Sequence, residues 1–430
     1  MGDYPTIQKL DKTKVNRIEF TKGGGLLTQK AKKLALLILM FNLFITMGGI
    51  GIVIPVLPSY LEIFGVGGQI LGFLIASFAL AQFLFSPIAG DLSDRYGRKI
   101  FVIIGLIIYG ISQILFGLAT EVWVLFIGRF LTGLGAAFIM PPVMAYVADI
   151  TTDEERGKGM GLLGAAISLG FMIGPGIGGF LAEVNLHFPF HVSGVTALVA
   201  ALLSLIILPN VKPHEFKTKQ QLEAKHQPRE NLWQQLVRSV KTPYFILLIV
   251  VFTFSFGIAN FQATLSMFLT LKFDYTPADI AIVITVGGFV GVILQVFIVD
   301  ILFKKFGEMK VILVNLIVAA ITMFLMIYVN GYFVILAVAT LFQIATIFIR
   351  PAVNTLISKL AGHDQGFAAG MNNAYMSLGN MVGPALAGVL LEWSLPSPYI
   401  LGAIILLGCF ALAYGWNRKK SLTILQPEVK

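Results

Sequence analysis

An all-α integral membrane protein, with twelve spans in two pseudo-symmetric six-helix halves, is the fold class this 430-residue chain predicts. Three observations carry the prediction. The first is composition: 57% of residues are hydrophobic and 12% charged, with mean hydropathy +0.85, too little charge for a water-soluble domain of this size to cover itself. The second is a series of apolar runs of about 18 residues or more, each able to cross ~30 Å of hydrocarbon. The third is repetition: the run G-P-G-I-G-G at Gly174–Gly179 returns 209 residues later inside S-L-G-N-M-V-G-P-A-L-A-G (Ser377–Gly388). Proline and glycine break helices in water, whereas neighbouring helices in a membrane satisfy the loosened backbone.

The runs fall at 34–57, 69–89, 100–119, 122–148, 157–184, 191–209, 244–271, 277–302, 311–329, 332–357, 366–391 and 398–416. They divide the chain into a basic tail (1–33), a first bundle (34–209), a polar linker (210–243), a second bundle (244–416) and a short tail (417–430). The halves overlay elsewhere too: F-I-M-P-P-V (Phe138–Val143) matches F-I-R-P-A-V (Phe348–Val353), and Glu183 and Glu392 each close a bent helix. Repeats of this kind place a substrate cavity between the halves near the bilayer midplane.

Every second loop is basic, from Lys9, Lys12, Lys14, Arg17, Lys22, Lys30, Lys32 and Lys33 in the tail to Arg418, Lys419 and Lys420 at the other end. Between them come Arg95, Arg98 and Lys99, then Arg156 and Lys158, the linker, Lys304, Lys305 and Lys310, and Lys359; the opposite side offers only Lys272. Positive charge stays cytoplasmic, so both termini are expected there, in the cell membrane. The net charge of +9 then requires no nucleic-acid partner. The first run is too long for a cleaved signal peptide and reads as a retained helix. Residues 1–32, with Gly23-Gly24-Gly25, read as mostly disordered. The single Cys409 excludes an internal disulfide, and His187, His191, His214, His226 and His363 have no metal-ligand spacing. The Gly-rich strings sit inside apolar helices and follow no strand, so they are not nucleotide loops. The chain reads as no enzyme, without metal or cofactor, driven by an ion gradient, and as a monomer.

Three motifs carry a resemblance. The loop G-D-L-S-D-R-Y-G-R-K (Gly90–Lys99), the run L-F-I-G-R-F-L-T-G-L-G (Leu125–Gly135) and the bent helix Gly170–Gly179 resemble signature motifs of the major facilitator superfamily, the last that of its drug/proton antiporters. Strings such as G-I-G-I-V-I-P-V-L-P (Gly49–Pro58), Y-V-A-D-I-T-T (Tyr146–Thr152), I-G-P-G-I-G-G-F-L-A-E (Ile173–Glu183) and A-G-M-N-N (Ala369–Asn373) are similar to the NorA-like and Bmr-like multidrug and quinolone efflux pumps of Gram-positive bacteria. That resemblance implies proton-driven export of varied lipophilic, often cationic, drugs by alternating access. It brings Asp94 against the N-terminus of the eleventh span, where a helix dipole favours a carboxylate by about 0.3–1 kcal/mol.

The residues themselves suggest roles. Arg98 is placed to pair with Asp149, and with Asp94 such a cluster would latch the halves on the inner side; the second-half copy, Asp300–Lys310, reads as degraded and structural. Gly174, Pro175 and Gly178 set the bend of the fifth span. Arg129 lies about seven residues inside an apolar helix, where an arginine costs at least ~2.5 kcal/mol unless it faces a cavity or partner. Arg350, before Pro351, invites the same argument, or else satisfies carbonyls freed by the proline. Relatives in the resembled group carry a glutamate in the seventh span and an aspartate three residues before the tenth-span arginine. Here those positions are Gln262 and Ile347, neither able to titrate. Asp91, Asp94, Asp149, Glu183, Asp300 and Glu392 lie near helix ends, with Asp149 and Glu183 the better substitutes for proton coupling.

The expected cavity wall comprises Asn42, Gln82, Arg129, Asn260, Gln262, Arg350, Asn372 and Asn373, with Met47, Phe138, Met140, Phe256 and Phe261 as apolar surface suited to promiscuous binding of small amphipathic molecules. Alternatives stay open: a uniporter or exporter of anionic or zwitterionic solutes or lipids, favoured by the missing carboxylates, or a receptor that binds without turnover.

Overall fold

The computed structural model describes residues 18–20, 26–210, 232–362 and 364–425. Two short strands, β1 (Ile18–Phe20) and β2 (Leu26–Thr28), pair antiparallel, with Ile18 opposite Thr28. Within 1–32, residues 18–20 and 26–28 form this hairpin and a helix begins at Gln29; the other residues of that segment lie outside the described residues. The first half follows as α1 (Gln29–Glu62), α2 (Gly68–Tyr96), α3 (Arg98–Gly117), α4 (Val122–Ile150), α5 (Asp153–Val184) and α6 (Phe188–Ile207). A short helix, α7 (Leu232–Ser239), precedes the second half: α8 (Phe245–Phe273), α9 (Pro277–Phe306), α10 (Glu308–Leu325), α11 (Tyr332–Ala361), α12 (Gln365–Trp393) and α13 (Ser397–Leu425). Twelve of these helices are long and apolar enough to cross a membrane.

Helices overrun the apolar runs at most ends, because backbone hydrogen bonding continues into the polar flanks, and in α9 Lys304 and Lys305 of the last turn also suit the helix C-terminus. Thus α1 begins at Gln29, α9 reaches Phe306 and α13 continues through the expected tail to Leu425. The linker is partly helical as well. In α7 the Ser239 hydroxyl lies 2.9 Å from that of Tyr375, and Arg238 sits over the Phe367 ring, so the linker's end is docked on α12. Residues 211–231, with His214 and His226, lie outside the described residues, as do most of the tail lysines, Gly23–Gly25 and His363.

Each half has its own core. In the first, Leu39, Leu43, Tyr109, Val143 and Tyr146 cluster between α1, α3 and α4; in the second, Leu248, Phe261, Leu316 and Phe342 fill the equivalent space. The repeat is visible in polar contacts too. Asn42 donates to Ser204 Oγ on α6 (2.8 Å), and Thr46 bonds the Asn42 carbonyl. In the second half Asn260 donates to the Pro398 carbonyl on α13 (3.3 Å), and Thr264 bonds the Asn260 carbonyl.

The bent helices α5 and α12 tie the bundle together through glycine faces. The α-carbons of Gly170, Gly174 and Gly178 lie against the backbone of Phe44, Gly48 and Ile52 on α1, leaving no room for a side chain. Gly379 and Gly383, 209 residues on, lie in the same way against Phe252 and Phe256 of α8. The opposite faces cross between halves. Gly176 and Gly179 meet Thr285, Ala281 and Pro277 at the start of α9, while Pro384 and Gly388 meet Gly72 and Gly68 at the start of α2. Small residues permit such close backbone approach in membrane bundles. These contacts between halves sit at the end of the bundle opposite the chain termini. Toward the termini, Gly161 and Gly164 of α5 and Gly370 of α12 have open space beside them.

Candidate functional site

The gap between the halves is the candidate site, and α11 supplies its most informative wall. Gln343 and Ile347 on this helix touch Gly287 and Gly291 of α9. Arg350 and Asn354 continue the same stripe, one and two turns further, and both are exposed. Leu341, also exposed, is nine residues before Arg350, about 180° away at 100° per residue, so Arg350 faces away from the lipid side. Arg350 makes no hydrogen bond or ion pair among the described residues, neither to a carboxylate nor to the carbonyls before Pro351. On neighbouring helices of the same half, Gln262 of α8 is half-buried, Asn373 of α12 exposed, and Asn372 half-buried with its Oδ1 unpartnered among the described residues. Gln82 of α2 lies 3.6 Å from the Met140 sulfur on α4. Met140 occupies the position, one residue before a proline, that Arg350 holds in the second half.

Arg129 sits deeper. It is 5% exposed, its guanidinium lies 4.8 Å from the centroid of the Phe116 ring, and its Nε has no partner among the described residues. Such a cation–π contact offsets part of the cost of burying the charge. Nearby, the Gln113 amide lies within 3.3 Å of the Gly49 carbonyl, the Tyr109 hydroxyl and Ser193 Oγ, joining α3 to α1 and α6. This network was not anticipated; its signal is a glutamine four residues after a tyrosine on one helix face.

Several expected wall residues lie inside the halves instead. Asn42 is fully buried against Ser204, and Asn260 against Pro398. Phe261 stacks on Phe342 with ring centroids 4.0 Å apart, Phe256 is buried behind Gly379 and Gly383, Phe138 packs edge-on against Phe101, and Met47 lies beside Gly170. A polar or aromatic residue in a membrane helix has a second place to go besides a cavity, namely the neighbouring helix.

At the terminus-bearing end, one residue, Gly97 (φ +108°), separates α2 from α3, a turn that favours glycine. It delivers Arg98 to a carboxylate pair: Arg98 forms ion pairs with Asp94 and, at 3.1 Å, with Asp149 at the end of α4, and also donates to Ser93 Oγ (2.8 Å). Asp91 pairs with Arg95, and Lys32 with Glu155. The second half holds an ion pair at the equivalent turn, in the segment read as a degraded, structural copy. Gly307 (φ +76°) makes the same one-residue turn, and Glu308 pairs with Lys359 at 2.5 Å. Residues 94, 98 and 149 map, at a spacing of 210, to Lys304, Glu308 and Lys359, so an acid–base–acid triad becomes base–acid–base. Glu183 and Glu392 are exposed at the other end. Gly174 and Gly178 seat α1 against α5, with Pro175 touching Gly51.

A twelve-helix bundle of two repeated halves, in contact through glycine faces at the end opposite the termini, has the architecture of a membrane transporter. The family described as Major Facilitator Superfamily matches residues 39–361 and, overlapping, 247–428. The chain is 41% identical over 390 residues to Multidrug resistance protein 2 of Bacillus subtilis (strain 168), covering 91% of this chain and 97% of that one. It is 36% identical over 361 residues to the quinolone resistance protein NorA of Staphylococcus aureus, covering 84% and 91%. Among solved structures, a bacterial homolog of the human lysosomal transporter Spinster, inward-facing and occupied, overlays with TM-score 0.73 at 16% identity, covering 91% of this chain and 98% of that one. The human organic anion transporter MFSD10 overlays with TM-score 0.63 at 18% identity, covering 89% and 99%. This chain belongs to the major facilitator superfamily, and within it is similar to multidrug efflux pumps.

Proposed function

We propose that the protein is a secondary active exporter of small amphipathic molecules, quinolone-type drugs and dyes among them, working by alternating access. The observation that carries the reading is the placement of the contacts between halves: glycine-mediated at the end opposite the termini, with open space toward the termini. With the basic loops cytoplasmic, this is an inward-facing arrangement, ready to load from the cell interior or the inner leaflet. The names of the relatives at 36–41% identity support drugs as cargo. The transporter sits in the cell membrane with both termini cytoplasmic, acts as a monomer, and needs no cofactor beyond an ion gradient.

Protons are the coupling ion in this reading, and the Asp94–Arg98–Asp149 cluster is the coupling and gating element. When the inner end closes, Asp94 reaches the N-terminus of α12 and the latch stabilises the outward-facing state. One observation favours a second reading. No Asp or Glu lies more than one turn inside any apolar run, so a uniporter without proton exchange also fits the chain.

The test is flux of norfloxacin in proteoliposomes, with a pH gradient and a membrane potential imposed separately. Uphill movement driven by the pH gradient is the expected result. Downhill flux alone would replace the antiporter by the uniporter, and binding without flux would remove the transport reading.

A further inference from the structure

The apolar runs contain two formal charges more than one turn from a run's end, Arg129 and Arg350, and both are positive. Buried or membrane-embedded arginines are ordinarily matched by a carboxylate, or by carbonyls of their own bundle. Neither match is present here. Arg129 has an aromatic ring and an unpartnered Nε. Arg350 has no bonding partner among the described residues and lies exposed on the face of α11 opposite the lipid-side Leu341. The groups around the gap, Gln262, Asn372 and Asn373, are neutral amides that donate hydrogen bonds to an anion as readily as they accept them from a cation.

Resting on the exporter reading above, we infer that the gap selects amphiphiles bearing an anionic group, a carboxylate or phosphate, and that Arg350 is the contact residue. An arginine fork binds either group through paired N–H donors. No carboxylate within the span interiors competes for it. Arg129 adds a like-signed field from inside the first half, raising the cost of any cation placed in the gap. The apolar part of the ligand lies against the surrounding aliphatic and methionine surface, which discriminates little.

Fluorescein and rhodamine 6G share a xanthene frame and differ in sign, and the substitutions below separate charge from the greater lipophilicity of rhodamine 6G. Their binding to the purified full-length protein is followed by fluorescence anisotropy, and their flux by proteoliposome transport. The wild type should bind fluorescein at least tenfold more tightly than rhodamine 6G. Arg350→Gln should weaken fluorescein at least tenfold with rhodamine 6G moved less than twofold, while Arg350→Lys stays within about threefold of wild type. Ile347→Asp leaves the arginine in place but sets a carboxylate one turn away; it should also weaken fluorescein about tenfold, and it decides the matter if Arg350→Gln loses both dyes. Tighter rhodamine 6G binding in the wild type, no fluorescein binding, or fluorescein affinity unmoved by both Arg350→Gln and Ile347→Asp would overturn the inference. Displacement of fluorescein by phosphatidylglycerol would identify a lipid headgroup as the anion, and its absence a soluble amphiphile. Binding preference reads this inference, whereas loss of flux with that preference intact reads against the exporter alone.

Discussion

The two terminus-side clusters occupy equivalent places in the halves but carry opposite charge. Arg98 of the first half is enclosed, with its side chain 8% exposed between Asp94 and Asp149, and it takes a further bond to Ser93. Lys359 of the second half is 61% exposed and meets Glu308, itself 18% exposed. The repeat has kept the position and the attraction while exchanging the signs, so what the architecture requires at this turn is an ion pair and not a particular residue. The bent helices differ in the converse way. Their glycines are the same, yet one face of each packs within a half and the other between halves, so identical residues serve rigidity on one side and movement on the other.

Substitutions at those glycines should separate the two uses most sharply. A valine at Gly174 meets the carbonyl and Cα of Gly48 inside the first half, where no neighbour can move aside. Overpacking of a fixed backbone contact sits at the upper end of the ~1–3 kcal/mol range, and Gly174→Val is expected to lose folded protein, read as an aggregated peak in detergent size exclusion. Gly388→Val meets Gly68 and Gly72 across the boundary between halves, and there separation relieves the clash. That variant should fold, and should shift the population at least tenfold toward opening at the outer end, measured as labelling of a cysteine introduced at Gly67. Equal loss of folding in both variants would show that the boundary is as rigid as the halves.

The ion pairs come next in size. Arg98→Ala leaves Asp94 and Asp149 facing each other without their cation, and because both are more than a quarter exposed the cost is reduced by solvent to about 1–3 kcal/mol. Lys359→Ala removes a mostly exposed partner and should cost less than ~1 kcal/mol. Thermal unfolding in detergent gives both, and 0.5 M salt should narrow the difference. A larger loss at Lys359 would reverse the assignment of the first half as the tighter cluster.

Hydropathy made the twelve spans legible because the bilayer leaves a helix few ways to hide its backbone. The glycine repeat was legible because close packing leaves few alternatives to glycine. The charge-inverted triad escaped, since matching a loop to a motif asks for identity and Lys304, Glu308 and Lys359 supply only complementarity. Helix α7 escaped because, although Leu232, Trp233, Leu236 and Val237 recur at helical spacing, eight residues are too short to stand out in a polar linker until Tyr375 and Phe367 give them a surface. Arg350 is legible as a charge inside an apolar run and Gln262 only through the family pattern, and the structure leaves one exposed and the other half-buried. Asn42 and Asn260 were misplaced for one reason: a lone amide in an apolar helix signals a polar partner without saying whether that partner is a ligand or the next helix.

That pair also offers the finest comparison of the halves. Asn42 donates to Ser204 Oγ at 2.8 Å, and this hydroxyl has no other partner among the described residues. Asn260 donates at 3.3 Å to Pro398, whose carbonyl lies in the first turn of α13, where it can also accept from the helix's own backbone. Both amides carry a buried Oδ1 without a partner among the described residues, so truncating either residue also deletes an unsatisfied acceptor and recovers part of the loss. Bonds between membrane helices average ~0.6 kcal/mol, and the stranded Ser204 hydroxyl puts Asn42→Ala above that mean, at about 1 kcal/mol, with Asn260→Ala at about 0.5 kcal/mol or less. Adding Ser204→Ala should restore part of the loss in the first half, and this double-mutant cycle separates the bond from the packing. If Asn260→Ala instead left stability unchanged and altered dye flux, Asn260 would belong on the ligand-facing wall of the gap and not in the seam between α8 and α13.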